Sequence, residues 1–107
     1  MTTETLTLTD FLLARIAEDE ADARAGLVAE GSWRVLAECE AKRRIVELHS
    51  IREASPSCSQ CGGYTATTDG QRGIVHHGYA IPWPCPTLRA LALPYADHPD
   101  YREDWRP

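Results

Sequence analysis

Two cysteines two residues apart, followed by paired glycines in Pro56-Ser-Cys58-Ser-Gln-Cys61-Gly-Gly, restrict this 107-residue chain more than any other feature. Such a pair is half of a metal site, a redox motif or a disulfide. A redox CxxC sits where a strand enters a helix in a βαβ unit. Here glycines and a hairpin signal follow instead. The N-terminus, MTTETLTLTD, has neither the basic start nor the apolar run of a secretory signal. That predicts a cytoplasmic, reducing setting, where closely spaced thiols hold metal more often than they form structural disulfides. Gly62 and Gly63 fit a metal knuckle, because bending the backbone around two thiolates calls for positive φ, which glycine adopts freely.

Zinc takes four ligands of the cysteine and histidine type in tetrahedral geometry, so a CxxC pair needs two more. Cys85 is the best third ligand. It stands before Pro86 at an expected helix start, where the helix dipole favours a thiolate. Spacing alone leaves the fourth open among His49, His76, His77 and His98. The remaining cysteine, Cys39, falls on an apolar helix stripe and reads as a core thiol.

The first half of the chain is helical in pattern. TDFLLARIAEDEADARAG reads as an amphipathic helix capped by Thr9, with Leu12, Leu13, Ile16, Ala17, Ala21 and Ala23 on one arc. Arg15, Glu18, Asp19 and Asp22 take the other. Gly26 or Gly31 ends it. Ser32 then offers a cap for a second helix running to about residue 54. This helix has two apolar stripes, Trp33, Ala37, Ala41, Ile45 and Leu48 on one, Val35, Cys39 and Val46 on the other. One stripe can meet the first helix in an antiparallel hairpin. The other needs the C-terminal half or a second copy of the chain, so a homodimer is an expectation.

After Pro56 the character changes. YTATT, DGQRG and IVHHGYAI read as strand, turn and strand. Pro86 suits the first position of a short third helix carrying Leu88, Leu91 and Ala92, which Pro94 ends. Tyr95, Tyr101 and Trp105 look like anchors for the tail. The expected fold is therefore mainly α with a small β-hairpin: one domain over residues 1–107, in which an antiparallel helix hairpin (10–54) packs on a zinc-stapled C-terminal module (56–107) with a short third helix.

The motifs AECEAKRRIVELH, CSQCG and PCPTLRALALPYADHPDYREDWRP resemble an uncharacterised family of small proteins from actinobacteria and their phages. The resemblance spans nearly the whole chain, and the family carries no assigned activity. It implies that the histidine ending helix two, the CxxC pair and the cysteine before helix three go together, and that the segment holding His76 and His77 is a variable insert. The implied ligand set is His49, Cys58, Cys61 and Cys85 around a structural Zn2+, with His77 and then His76 as substitutes for His49.

Function is bounded from several sides. No apolar run is long enough to span a membrane. The net charge is −5, and residues 1–30 hold seven acids against two bases. Basic residues are sparse around the knuckle, and the one cluster, Lys42-Arg43-Arg44, lies among Glu38, Glu40 and Glu47. That counts against a nucleic-acid-binding regulator. No HExxH, phosphate-binding glycine loop or nucleophile elbow is present, which counts against an enzyme. A zinc-stapled interaction module with a protein partner fits best.

Overall fold

A computed structural model of the chain describes residues 6–29, 31–52 and 57–107. Helix α1 spans Leu8–Arg24 and α2 spans Ser32–Leu48. Two short strands follow, β1 (Ile51–Arg52) and β2 (Ser57–Cys58), then the hairpin β3 (Gly63–Asp69) and β4 (Gly73–Tyr79). Helix α3 (Pro86–Ala92) leads into 3-10 turns at Leu93–Tyr95 and Glu103–Trp105. Among the described residues no helix is long and apolar enough to cross a membrane.

The ends of α1 follow from local chemistry. Thr7, not the expected Thr9, is its N-cap: the Thr7 hydroxyl accepts from the Asp10 N–H at 3.1 Å. At the other end Gly26 N–H donates to Ala23 O and Leu27 N–H to Asp22 O. With Gly26 at φ 73° this is a Schellman stop. The buried arc comprises Leu8, Phe11, Leu12, Arg15, Ile16 and Ala23, whereas Ala17 and Ala21 face solvent. Arg15 thus corrects the sequence reading. It lies four residues after Phe11 and three after Leu12, which places it in the middle of the buried arc. Its guanidinium meets Glu18 at 2.9 Å, contacts His98 and stacks over the Phe11 ring.

Helix α2 packs antiparallel to α1 through the stripe of Val35, Cys39 and Val46. Most of the other stripe is solvent-exposed, with Trp33 76% and Leu48 56% accessible. The N-cap is Gly31, and Ser32 is the first helical residue. The helix stops at Leu48 rather than near residue 54, because the next backbone groups are engaged by a distant segment. Ser50 O accepts from Ser59 N–H at 2.8 Å, and Ile51 and Arg52 pair with Cys58 and Ser57. Residues 53–56 lie outside the described residues.

The hairpin agrees with the sequence expectation. Asp69 pairs with Gly73 across a three-residue connection, Asp69 Oδ1 accepts from Gln71 N–H, and Gly73 takes φ 80°. Pro86 opens α3 and buries Leu88 and Ala92 against α1 and α2. The tail closes the structure. Tyr95, His98, Tyr101 and Trp105 surround the fully buried Phe11 ring at centroid distances of 5.1–6.3 Å. The Tyr95 hydroxyl donates to Asp19 at 2.7 Å, and Lys42 Nζ donates to that hydroxyl at 3.4 Å, tying α1, α2 and tail together. Burial and then Asp19 push the Tyr95 hydroxyl pKa upward.

Candidate metal centre

Three separate pieces of chain meet at one end of the helical hairpin. The first is the end of α2. His49 is the C-cap residue, with φ −105° and ψ 50°, and its N–H still bonds back to Ile45 O and Val46 O. The break in helical ψ directs the following chain toward the knuckle.

The second piece is the knuckle itself. Strand β2 lies between two neighbours. One side pairs with β1, and Cys58 N–H donates to Ile81 O at 3.0 Å on the other. The Ser59 hydroxyl donates to Leu48 O, stitching the knuckle to the end of α2. Past Cys58 the backbone folds back, so Cys61 N–H points at Cys58 Sγ at 3.4 Å. Gly62 then adopts φ 109°, and a Cβ there would stand 2.6 Å from Tyr79 O. Only glycine meets both conditions, which is why a glycine follows the second thiol.

The third piece is the run from Ile81 to Cys85. Its pairing with β2 places it beside the knuckle. The Trp83 indole N–H donates to His49 O at 3.1 Å, so this run also grips the end of α2. Cys85 is the N-cap residue of α3 and is fully buried. The Arg89 guanidinium donates to Pro84 O and fixes the turn in front of it.

Together these pieces bring His49, Cys58, Cys61 and Cys85 into one group, with all four donor atoms within 4.8 Å of one another. His49 Nδ1 lies 3.2 Å from Cys58 Sγ and 3.5 Å from both Cys61 Sγ and Cys85 Sγ. A tetrahedral zinc ion, with bonds of about 2.3 Å to sulfur and 2.0–2.1 Å to nitrogen, separates such ligands by about 3.5 Å. The residues therefore fit the ion in kind, number and spacing. All four cysteines are free thiols, so no disulfide competes.

Electrostatics point the same way. Burial alone would raise the Cys58 pKa, but the Gln60 and Cys61 N–H groups, with His49, outweigh it and bring the thiol down to about 6. Cys61 goes the other way, to about 11, through burial and then its neighbours Cys58 and Cys85. A first thiolate thus opposes a second. Three charged sulfurs can share this space only around a cation.

The other histidines stand elsewhere. His76 and His77 lie along β4, paired with Ala66 and Thr65, and His77 Nε2 is 2.9 Å from Thr67 Oγ1. His98 sits in the tail against Arg15 and Phe11. Neither the hairpin histidines nor His98 joins the cluster. Cys39 is buried between the helices, and burial raises its pKa. What sequence reasoning missed is Trp83, whose indole joins the third piece to the first. A tryptophan between two prolines, just before a candidate ligand, was the available signal.

A family model matches residues 27–107. The chain belongs to that family, described as "Family of unknown function (DUF6221)". The matched span contains all four clustered donors, the hairpin, α3 and the tail. Helix α1, which supplies Phe11 and Leu12 to the core, precedes it. No curated protein and no solved structure is significantly similar to the chain.

Proposed function

We propose that the chain is a zinc-stapled interaction module: His49 Nδ1 and the thiolates of Cys58, Cys61 and Cys85 hold one structural Zn2+. The observation that carries this reading is the imidazole nitrogen lying 3.2–3.5 Å from three converging sulfurs, the four donors coming from three pieces of chain. A thiolate-rich tetrahedral set suits zinc, whose filled d shell imposes no other geometry. Four protein donors complete the coordination sphere and leave no position for water or substrate, which favours a structural over a catalytic role.

The work of such an ion is architectural. It clamps the end of α2, the knuckle and the start of α3, and so supplements a core too small to be generous. Function then falls to the surfaces that this clamp holds in register, with a protein as the partner. The actinobacterial or phage origin implied by the C-terminal motif suits a small regulatory binder.

The test is metal analysis of full-length chain purified without added metal, followed by Co2+ exchange. The expected result is one zinc per chain and, with cobalt, the intense visible and thiolate charge-transfer bands of a tetrahedral sulfur-rich site. Fewer than about 0.2 zinc per chain, three titratable thiols at the site and no cobalt spectrum would refute it.

A further inference from the structure

We infer that the groove between the start of α1, the end of α2 and Trp83 is a docking site for a partner peptide that presents one large apolar side chain beside a lysine or arginine. The inference rests on the interaction-module reading and gives it a surface. The groove has a volume of about 590 Å³, and Leu13, Val46, Ile51 and Trp83 supply its apolar wall. That is within the range of about 300–1,000 Å³ typical of built ligand sites. Ile51, on the same wall, is 43% exposed.

Charge decides which apolar partner fits. Asp10 and Glu47 lie on the same lining, and among the described residues neither carboxylate is in an ion pair. Arg43, also on the wall, is already paired with Glu20. The last turn of α2 holds no basic residue. Glu47 therefore adds its charge at the negative end of the helix dipole, where the Leu48 and His49 carbonyls already accept from the Ser59 hydroxyl and the Trp83 indole. A cation on this lining meets the Asp10 and Glu47 carboxylates, while its apolar neighbour covers Trp83 and Ile51. Trp83 is also the residue whose indole holds His49 O, so the metal clamp fixes one wall of the groove.

The probe is a random 12-residue peptide library displayed on phage, selected against the immobilised full chain, with the best sequence then synthesised for fluorescence polarisation. The expected consensus is a Leu, Phe, Met or Trp anchor next to Lys or Arg. Glu47→Lys and, separately, Ile51→Glu should each weaken the synthetic peptide at least tenfold. Selection against Glu47→Lys should shift the consensus toward Asp or Glu beside the same anchor. Zinc content and melting temperature are measured on every variant, so a lost fold is not mistaken for a lost contact. Glu47 is exposed and should leave both unchanged. No enrichment, a consensus lacking either the anchor or the base, or full binding by both variants overturns the inference. So does a concentration-dependent dimer abolished by Ile51→Glu, since a second copy would then fill the groove. If zinc is bound one to one and no peptide is selected, the docking site fails while the structural-zinc reading stands.

Discussion

Replacing His49 with alanine removes one donor from the cluster and leaves the surrounding contacts intact. The Trp83 indole bonds to the His49 carbonyl, and the Ser59 hydroxyl to Leu48 O, both of which survive the change. The loss is therefore close to that of the imidazole alone. Structural zinc sites bind with about 10–16 kcal/mol at neutral pH. Shared evenly over four donors, that makes one worth about 2.5–4 kcal/mol, or 10²- to 10³-fold in affinity. Because the ion binds only the folded chain, the same loss reappears as stability when zinc is saturating. About 3 kcal/mol lowers the melting temperature of a domain this size by about 10 °C or more. The assay is competition with a chromogenic chelator, run beside thermal unfolding with and without excess zinc. His77→Ala is the matched control, since its ring bonds to Thr67 on the exposed hairpin and lies outside the cluster, and both readouts should stay at parental values. His49→Cys should recover most of the affinity. If His49→Ala keeps parental affinity, or if the loss appears in His77→Ala instead, the ligand set is wrong.

Three further outcomes follow from the fold. Gly62→Ala should cost about 1–3 kcal/mol through its φ of 109° and the approach to Tyr79 O, whereas Gly70→Ala, with nothing within 4 Å, should leave the urea midpoint unchanged. Phe11→Ala should cost about 3–5 kcal/mol, with loss of near-ultraviolet dichroism as Tyr95, Tyr101 and Trp105 lose their common neighbour. Trp33→Glu should leave monomer stability within about 0.5 kcal/mol, because the side chain is 76% exposed. The same substitution should suppress any self-association seen by sedimentation at high concentration, as the wide apolar surface of α2 predicts.

Where local chemistry decides an element, the residues alone were enough to place it. The hairpin turn from Asp69 to Gly73, the proline opening α3 and the bend after Cys61 are each fixed by one or two backbone requirements. The clustering of Cys85 with the CxxC pair follows from donor chemistry, while the spacing of histidines could not choose among four candidates. That choice depends on Ser50 O accepting from Ser59 N–H, a contact that halts α2 at Leu48 and leaves His49 facing the thiols. A helical pattern continuing through Ser50 and Ile51 carries no trace of it. Arg15 failed for the opposite reason. Its position along α1 is that of a core residue, and only its charge suggested solvent. The conflict is resolved by Phe11 on the same helix and His98 from the tail, which lie against the guanidinium while Glu18 takes one of its nitrogens. The end of α2 was missed through a contact nine residues along the chain and Arg15 through one with the tail, and both lie where the C-terminal half closes on the helices. The same closure builds the His49, Cys58, Cys61 and Cys85 cluster and the Trp83 groove, so a variant that loosens this cluster should open the groove before it unfolds the helical hairpin.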